Sequence, residues 1–345
     1  MKTFGVGIIG CGNISAAYLE LTPLFKFIEM RAVADLILAA AEARAAEFGV
    51  RSESVVGLVA AEDIEIVVNL TVPAAHFEVS KRILESGKNV YSEKPFVLDL
   101  NDAETLRRLA EEKGLRIGSA PDTFLGGAHQ AARAALDEGR AGDIIGGSCH
   151  VLTHGMEAWH PNPDFFYRPG GGPILDMGPY YVTNLVQLIG PVKAVTAMAS
   201  TCLKTRTIGN GPRKGEEIPV ETPTSTCAIL EFHNGALVTL SASWDVWAHR
   251  HPPMELYGTQ ASLVIPDPIL FGGEVQLAGG DGSTGSVPSK DHPFAIPNTH
   301  DMRGIGRANY RGAGLADMAQ AVVQDRPHRC SFELAAHVVE VMTAI

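Results

Sequence analysis

Residues 4–15 read Phe-Gly-Val-Gly-Ile-Ile-Gly-Cys-Gly-Asn-Ile-Ser. A short apolar strand stops at Gly10, turns through Cys11 and Gly12, and opens a helical pattern over Ile14–Phe25. Glycine serves two separate purposes in such a turn. Gly10 permits the tight reversal, and Gly12 lets the backbone approach a pyrophosphate. The amides of Asn13 and Ile14, at the helix N-terminus, then face the negative charge. Ser15 takes the place of a third glycine and is small enough for close packing. Asp35 ends a second strand, Met30–Ala34, where an acid would accept ribose hydroxyls. Leu36 follows, and no adjacent arginine is present to take a 2′-phosphate. These residues point to NAD rather than NADP. Each also has an ordinary reading, the turn as a plain strand–helix junction and Asp35 as a helix N-cap.

The pattern after the turn supports the dinucleotide reading. Strand-like runs at Ile66–Leu70, Asn89–Tyr91 and Arg116–Gly118 alternate with helical patterns at Ala39–Phe48, His76–Ser86 and Asn101–Lys113. Gly49, Gly87 and Gly114 stop the three helices. Asn101 followed by Glu104 reads as a capping box with Asn in the cap position. Alternation of this kind argues for a doubly wound parallel sheet, an α/β Rossmann domain over residues 1–122.

From about residue 143 the runs lengthen and helices become few. Val192–Cys202, Thr224–Phe232 and Ala236–Trp244 are strand-like, and Asn234-Gly235 between the last two is a strong hairpin signal. Met254–Tyr257 and Ser262–Ile265 continue the series, Gly279–Pro288 reads as a surface loop, and Asp317–Gln324 and Phe332–Ile345 as helices. The final helix carries no stop signal, which suggests a clipped terminus. Residues 123–345 are therefore expected to form an α+β domain with an open, predominantly antiparallel sheet. Two of its strands carry apolar residues on both faces, more than one covered face needs, so a homodimer or homotetramer through this sheet is expected.

Composition sets outer limits. With 46% hydrophobic and 19% charged residues, the 345-residue chain is globular. A net charge of −11 argues against nucleic acid as a partner. No apolar run is long enough to span a bilayer, and Met1 leads straight into a strand, so a cytoplasmic protein without a membrane partner is expected. The five cysteines are odd in number and lack metal-ligand spacing, so they read as reduced, and no metal site is expected.

Glu93-Lys94-Pro95 follows the apolar pair Val90-Tyr91, some eighty residues after the glycine turn. A lysine at a strand end in such a sheet reaches the cofactor crevice. Together with Asn69-Leu70-Thr71-Val72-Pro73, His76 and the run Gly170–Tyr180, these motifs resemble the glucose–fructose oxidoreductase/inositol dehydrogenase/MocA family. The resemblance spans most of the chain. It implies an NAD(P)-dependent dehydrogenase or reductase acting on a sugar, polyol or related hydroxyl or ketone.

Residue roles follow from the resemblance by position. Lys94 matches the lysine that contacts the reacting oxygen, where an ammonium stabilises a developing alkoxide and lowers the pKa of a neighbouring acid. Glu93 orients Lys94 or contacts the cofactor, and the bond before Pro95 is often cis in the family. Thr71, Pro73 and His76 fall among the cofactor-binding positions. Asp176 and Tyr180 lie four apart, on one face if the helix begins there. Many relatives have histidine where this chain has Tyr180, which is then the general acid/base. Asp176 also fits a helix N-cap, and Tyr180 a core residue. Trp159, His160 and Tyr167, with His150 and His154, precede the Asp176 helix and are the candidates for the carbohydrate-like substrate, whereas His249 and His251 fit the surface equally well. Asp122-Thr123 stands where many relatives carry an arginine, so the polyol-binding pattern does not transfer there. Two other functions compete: redox-assisted glycoside hydrolysis or lysis with recycled NAD, and a nucleotide-binding regulator without catalysis.

Overall fold

Every residue of β1 (Phe4–Ile9) is buried, as a strand covered on both faces requires. The computed structural model describes residues 2–289, 291–300 and 304–345. After β1 come α1 (Asn13–Leu21), β2 (Ile28–Ala34), α2 (Leu38–Phe48), β3 (Arg51–Glu53), α3 (Val55–Ala60) and β4 (Ile66–Asn69). Then follow α4 (His76–Glu85), β5 (Asn89–Ser92), α5 (Leu100–Lys113) and β6 (Ile117–Ser119). The six strands form one parallel sheet in the order β3-β2-β1-β4-β5-β6. The order reverses direction at the β1/β4 junction, where ligands of doubly wound sheets bind at the carboxyl ends.

Local chemistry sets the helix ends. α1 stops at Leu21 and gives way to a 3-10 turn over Thr22–Leu24, not a helix to Phe25 as the pattern suggests. Pro23 explains the difference, since it has no N–H for the next helical bond. α5 is capped by Asp99, whose carboxylate accepts from the Asn101 amide at 2.7 Å. The expected Asn101 cap is thus already inside the helix, because an acid two residues earlier satisfies the orphan amides and the helix dipole. Gly49 and Gly114 end α2 and α5 with φ of 69° and 64°, the left-handed region that glycine enters without strain.

A second unit contains α6 (Gly127–Asp137), β7 (Ile144–Leu152), α7 (Gly172–Ile189), β8 (Val192–Ser200), β9 (Thr205–Thr207) and β10 (Glu217–Pro219). It continues through β11 (Ser225–Phe232), β12 (Leu237–Ser243), β13 (Met254–Gly258), β14 (Ala261–Ile265), β15 (Val275–Gly279), β16 (Thr284–Val287), β17 (Thr299–His300) and β18 (Gly306–Arg307). Its main sheet runs β16-β15-β14-β13-β7-β12-β11-β8. Only the β7–β12 pair is parallel in this eight-stranded sheet. The Asn234-Gly235 turn joins β11 to β12, with Gly235 at φ 89° and Asn234 Oδ1 accepting from the Ala236 amide. Gly279–Pro288 is not a loop: β15 and β16 pair across a turn in which Asp281 accepts from the Ser283 amide at 2.9 Å. Turn-forming residues conceal that short hairpin.

By its contacts the chain divides into Met1–Asp122 with Tyr310–Val339, and Thr123–Asn309 with Glu340–Ile345. Residues 310–339, expected with the second domain, thus pack with the first. α8 (Ala313–Gln324) lies against β6, and the Ser119 amide donates to the Cys330 carbonyl at 3.1 Å. α9 (Phe332–Ala344) begins in the first unit and ends in the second.

Candidate functional site

In the first unit the glycine turn shows why its residues are glycines. Gly10 sits at φ 106°, and a Cβ there would lie 2.6 Å from the Leu70 carbonyl carbon. Gly12 is different: a Cβ there would meet nothing within 4 Å. Its own fold does not demand glycine, and the space beside it at the α1 N-terminus is open. Gly12 and Asn13 are exposed and Ile14 half-buried there. Ser15 is fully buried and donates its hydroxyl to the Gly12 carbonyl at 2.6 Å.

Asp35 is half-buried at the end of β2. One carboxylate oxygen accepts from the Cys11 amide at 2.7 Å, the other from the Ile37 amide at 2.8 Å. The acid therefore holds the turn in shape as well as presenting charge beside it. Arg44, on α2, was not among the expected residues. Its guanidinium reaches the Gly12 carbonyl at 3.4 Å and pairs with Glu47 at 2.6 Å, while its buried Nε has no partner. The signal was nine residues beyond Asp35, two turns into a helix, and adjacency alone does not reveal it.

Thr71, Val72 and Pro73 follow β4, with Val72 65% exposed. Beneath them Asn69 is buried and accepts the Thr71 hydroxyl at 2.7 Å. His76 is only 1% exposed. Its ring joins two strand ends, contacting the Pro95 carbonyl at 2.7 Å and the Thr71 carbonyl at 3.0 Å. Burial lowers its pKa, although both carbonyls act against the shift. His76 is thus an internal brace between Thr71 and Pro95.

Lys94 follows β5 and is half-buried, and the Lys94–Pro95 bond is cis. Its neighbour Glu93 is almost wholly buried and fully engaged. One oxygen accepts from the Lys94 amide at 3.0 Å. The other accepts from Tyr18 Oη and from Arg311 Nη1, each at 3.1 Å. Burial pushes the Glu93 carboxyl up, but the charges of Arg311 and Lys94 outweigh it and hold it below the ordinary glutamate value. Buried Asp122 anchors the segment that carries Arg311, accepting from the Gly312 amide at 2.8 Å and the Gly314 amide at 3.1 Å. Gly10, Asp35, Thr71 and Lys94 accordingly cluster at the carboxyl ends of β1, β2, β4 and β5, four neighbours in the sheet.

In the second unit α7 begins at Gly172, four residues before Asp176. Asp176 is not the N-cap; Gly171 is. A Cβ on Gly171 would collide with the Phe166 carbonyl oxygen, so the helix start depends on glycine packing tightly on the preceding segment. Asp176 and Tyr180 remain one turn apart on α7, Asp176 half-buried and Tyr180 8% exposed. Of the substrate candidates, Trp159 is 57% exposed and half-buried His160 packs edge-on to it, Phe165 and Phe166. Tyr167 is fully buried in a cluster with Met156, Ile208, Ile218 and Trp244, and its hydroxyl donates to Glu157. His150 and His251 stack with ring centres 4.2 Å apart, with His249 beside His251.

A glycine turn at a helix N-terminus, an acid after β2 and a lysine after β5 thus stand at one edge of a doubly wound parallel sheet. Residues 4–120 match the model of the oxidoreductase family with an NAD-binding Rossmann fold, and residues 129–264 match the GFO/IDH/MocA C-terminal domain. The chain belongs to the Gfo/Idh/MocA oxidoreductase family. Inositol 2-dehydrogenase of Rhizobium meliloti is 25% identical over 286 residues, 82% of this chain and 81% of that protein. An uncharacterized oxidoreductase of Schizosaccharomyces pombe is 29% identical over 182 residues, and that match spans only 48% of the relative's length and 49% of this chain. Among solved structures, an NAD binding oxidoreductase from Klebsiella pneumoniae superposes with a TM-score of 0.83 at 22% identity, covering 99% of this chain and 96% of that one. Levoglucosan dehydrogenase in complex with NADH and levoglucosan gives 0.81 at 22% identity, covering 100% and 96%.

Proposed function

We propose that the chain is an NAD-dependent dehydrogenase or reductase that moves a hydride between the nicotinamide and a carbon bearing a hydroxyl or ketone in a sugar or polyol. The observation that carries the reading is the convergence of the Gly12 turn, Asp35, Thr71 and Lys94 on four adjacent strand ends. Relatives named inositol 2-dehydrogenase and D-xylose dehydrogenase support a sugar or polyol hydroxyl as the reacting group.

Bound NAD supplies the hydride acceptor. The amides of Asn13 and Ile14 hold its pyrophosphate, and Asp35 accepts from the adenine-side ribose. Asp35 would repel a 2′-phosphate, which favours NAD; Arg44 works the other way, but Glu47 already neutralises it. Lys94 stabilises the alkoxide that develops as the substrate hydroxyl loses its proton. Tyr180 relays that proton to solvent, its oxygen accepting it as its own O–H proton leaves, and Asp176 orients the substrate. Glu93 and His76 hold the two sides of the Lys94–Pro95 segment. A second copy of the chain covers the uncovered face of the large sheet, where Met198 is 83% exposed, Leu237 55% and Ile229 49%.

A screen of sugars and polyols for NAD reduction tests the reading. Net NADH with at least one of them is the expected result. A substrate consumed without net NADH would point to recycled-cofactor chemistry, and no turnover with any would remove the reading.

A further inference from the structure

A cavity of about 260 Å³ opens in the first unit, at the amino end of β6. Gly10, Asp35, Thr71 and Lys94 stand at the carboxyl ends of strands parallel to β6, so the proposed redox chemistry does not use this cavity. One wall is Ala110 of α5 with Leu115 and Arg116, which lead into β6. The other is His328 with Phe332 and Glu333 of α9, from the segment 310–339 that also carries Arg311. Its size suits a ligand smaller than a drug molecule.

The polar groups of the two walls are open in complementary ways. Arg116 is half-buried, and its Nη1 donates to the Arg326 carbonyl at 2.5 Å. Its Nε and Nη2 have no partner among the described residues and are not sealed from solvent. Those two donors form the side-on edge of the guanidinium, a fork that matches a carboxylate. Glu333 is exposed at the rim and has no ion-pair partner among the described residues. Arg107 and Glu111 also line the cavity but pair with each other, and Glu104 holds Arg107 as well. His328 Nε2 lies 2.9 Å from the Ile117 carbonyl. A carbonyl only accepts, so Nε2 carries the proton and Nδ1 of the neutral ring is an acceptor. Burial lowers the His328 pKa, helped by the Arg116 charge and opposed by the Ile117 carbonyl. Phe332 packs edge-on against Phe96 with ring centres 5.7 Å apart, so this apolar part of the wall is fixed in place.

These features select a ligand chemistry. A carboxylate takes the Arg116 fork. An ammonium donates to Glu333 and to His328 Nδ1. A short apolar group covers Ala110, Leu115 and Phe332. A plain carboxylate would set a second negative charge beside Glu333, and a plain amine a second positive charge beside Arg116. A molecule with both charges on one carbon bridges two groups that stand too far apart to pair directly. We propose that this cavity binds a free α-amino acid with a small apolar side chain, held by Arg116, His328 and Glu333.

The test is calorimetric titration of the full-length protein, without NAD, with L-valine, isovalerate and isobutylamine. The last two are the valine skeleton without its ammonium and without its carboxylate. L-valine should bind more tightly than either by about tenfold or more, since each lacks one charge-assisted contact. Glu333→Gln, at an exposed position, should weaken L-valine by a similar factor and should not weaken isovalerate. Arg116→Lys can still donate to the Arg326 carbonyl but loses the fork, and it should weaken both. Circular dichroism checks that the variants fold. L-valine should bind undiminished to Lys94→Met, which separates this site from the redox site whether or not any sugar reduces NAD. No binding of L-valine at millimolar concentration would overturn the proposal. So would isovalerate or isobutylamine binding as tightly as L-valine, or an unchanged L-valine affinity in Glu333→Gln.

Discussion

Arg311 Nη1 stands 3.1 Å from Glu93 Oε1, an ion pair between residues 218 positions apart with side chains 14% and 9% exposed. It ties the returning segment Tyr310–Val339 to the residue that accepts the Lys94 amide. Loss of one partner of a buried pair leaves an uncompensated charge and costs on the order of 3–5 kcal/mol. Arg311→Met should therefore lower the melting temperature sharply, and adding Glu93→Gln should recover most of the loss, because the orphaned charge is gone. Thermal unfolding of the three variants measures this. The Glu93 carboxyl is held below its ordinary value, so the pair stabilises at neutral pH. That contribution fades as pH falls below the ordinary glutamate range and through the depressed folded value. Additive losses in the double variant would mean that the pair is not coupled.

The proposed preference for NAD rests on Asp35. With its two amide bonds it fixes the turn, and its charge opposes a 2′-phosphate. Comparison of kcat/KM should favour NAD over NADP in the wild type. Asp35→Asn should keep one of the two amide bonds, to its remaining oxygen, and narrow the preference, since the charge is lost and Arg44 remains. An NADP preference of about tenfold or more in the wild type, roughly 1.4 kcal/mol, would contradict this.

His129 gives the second unit a pH dependence. It is fully buried, with Nε2 against the Leu270 carbonyl at 2.8 Å and Nδ1 facing the Asn184 amide at 3.0 Å. Burial pushes its pKa down to about 4. The folded value lies below the unfolded one of about 6.5, so stability is full above that value and is lost as pH falls toward 4, by roughly 3 kcal/mol. Urea unfolding at a series of pH values should show this slope, and His129→Gln should flatten it. An unchanged slope in the variant would assign the dependence elsewhere.

The exposed Met198, Ile229 and Leu237 of the large sheet predict self-association. Sedimentation should give a dimer or tetramer at micromolar concentration, and Met198→Glu with Ile229→Glu should shift it to monomer. A monomeric wild type would remove the interface.

Where short-range chemistry decided the outcome, the sequence was legible. The glycine turn and the Asn234-Gly235 hairpin depend on residues a few positions apart, and the parallel sheet showed through the alternation of strand and helix patterns. Pro23 was visible, but the pull of the apolar pattern toward Phe25 concealed its effect. Asp99 and Asn101 are both good caps, and only the helix start distinguishes them. Contacts across long separations could not be read: Arg311 with Glu93, the return of residues 310–339, and Arg44 at Gly12 each require the folded backbone. His76 was legible as a residue of the site, but its bridge between two carbonyls was not.

The account rests most on Lys94 and Tyr180 acting on a substrate hydroxyl. Steady-state kinetics of wild type, Lys94→Met and Tyr180→Phe with the best sugar or polyol found tests it most directly, with NAD affinity measured alongside. The account predicts that Tyr180→Phe loses about 10²–10⁴ in kcat and Lys94→Met at least as much, the usual worth of acid–base and electrostatic help. NAD affinity should hold in both, because Gly10, Gly12 and Asp35 are untouched. Near wild-type kcat in Tyr180→Phe across the pH range would make the tyrosine a packing residue, and near wild-type kcat in Lys94→Met would contradict the account itself.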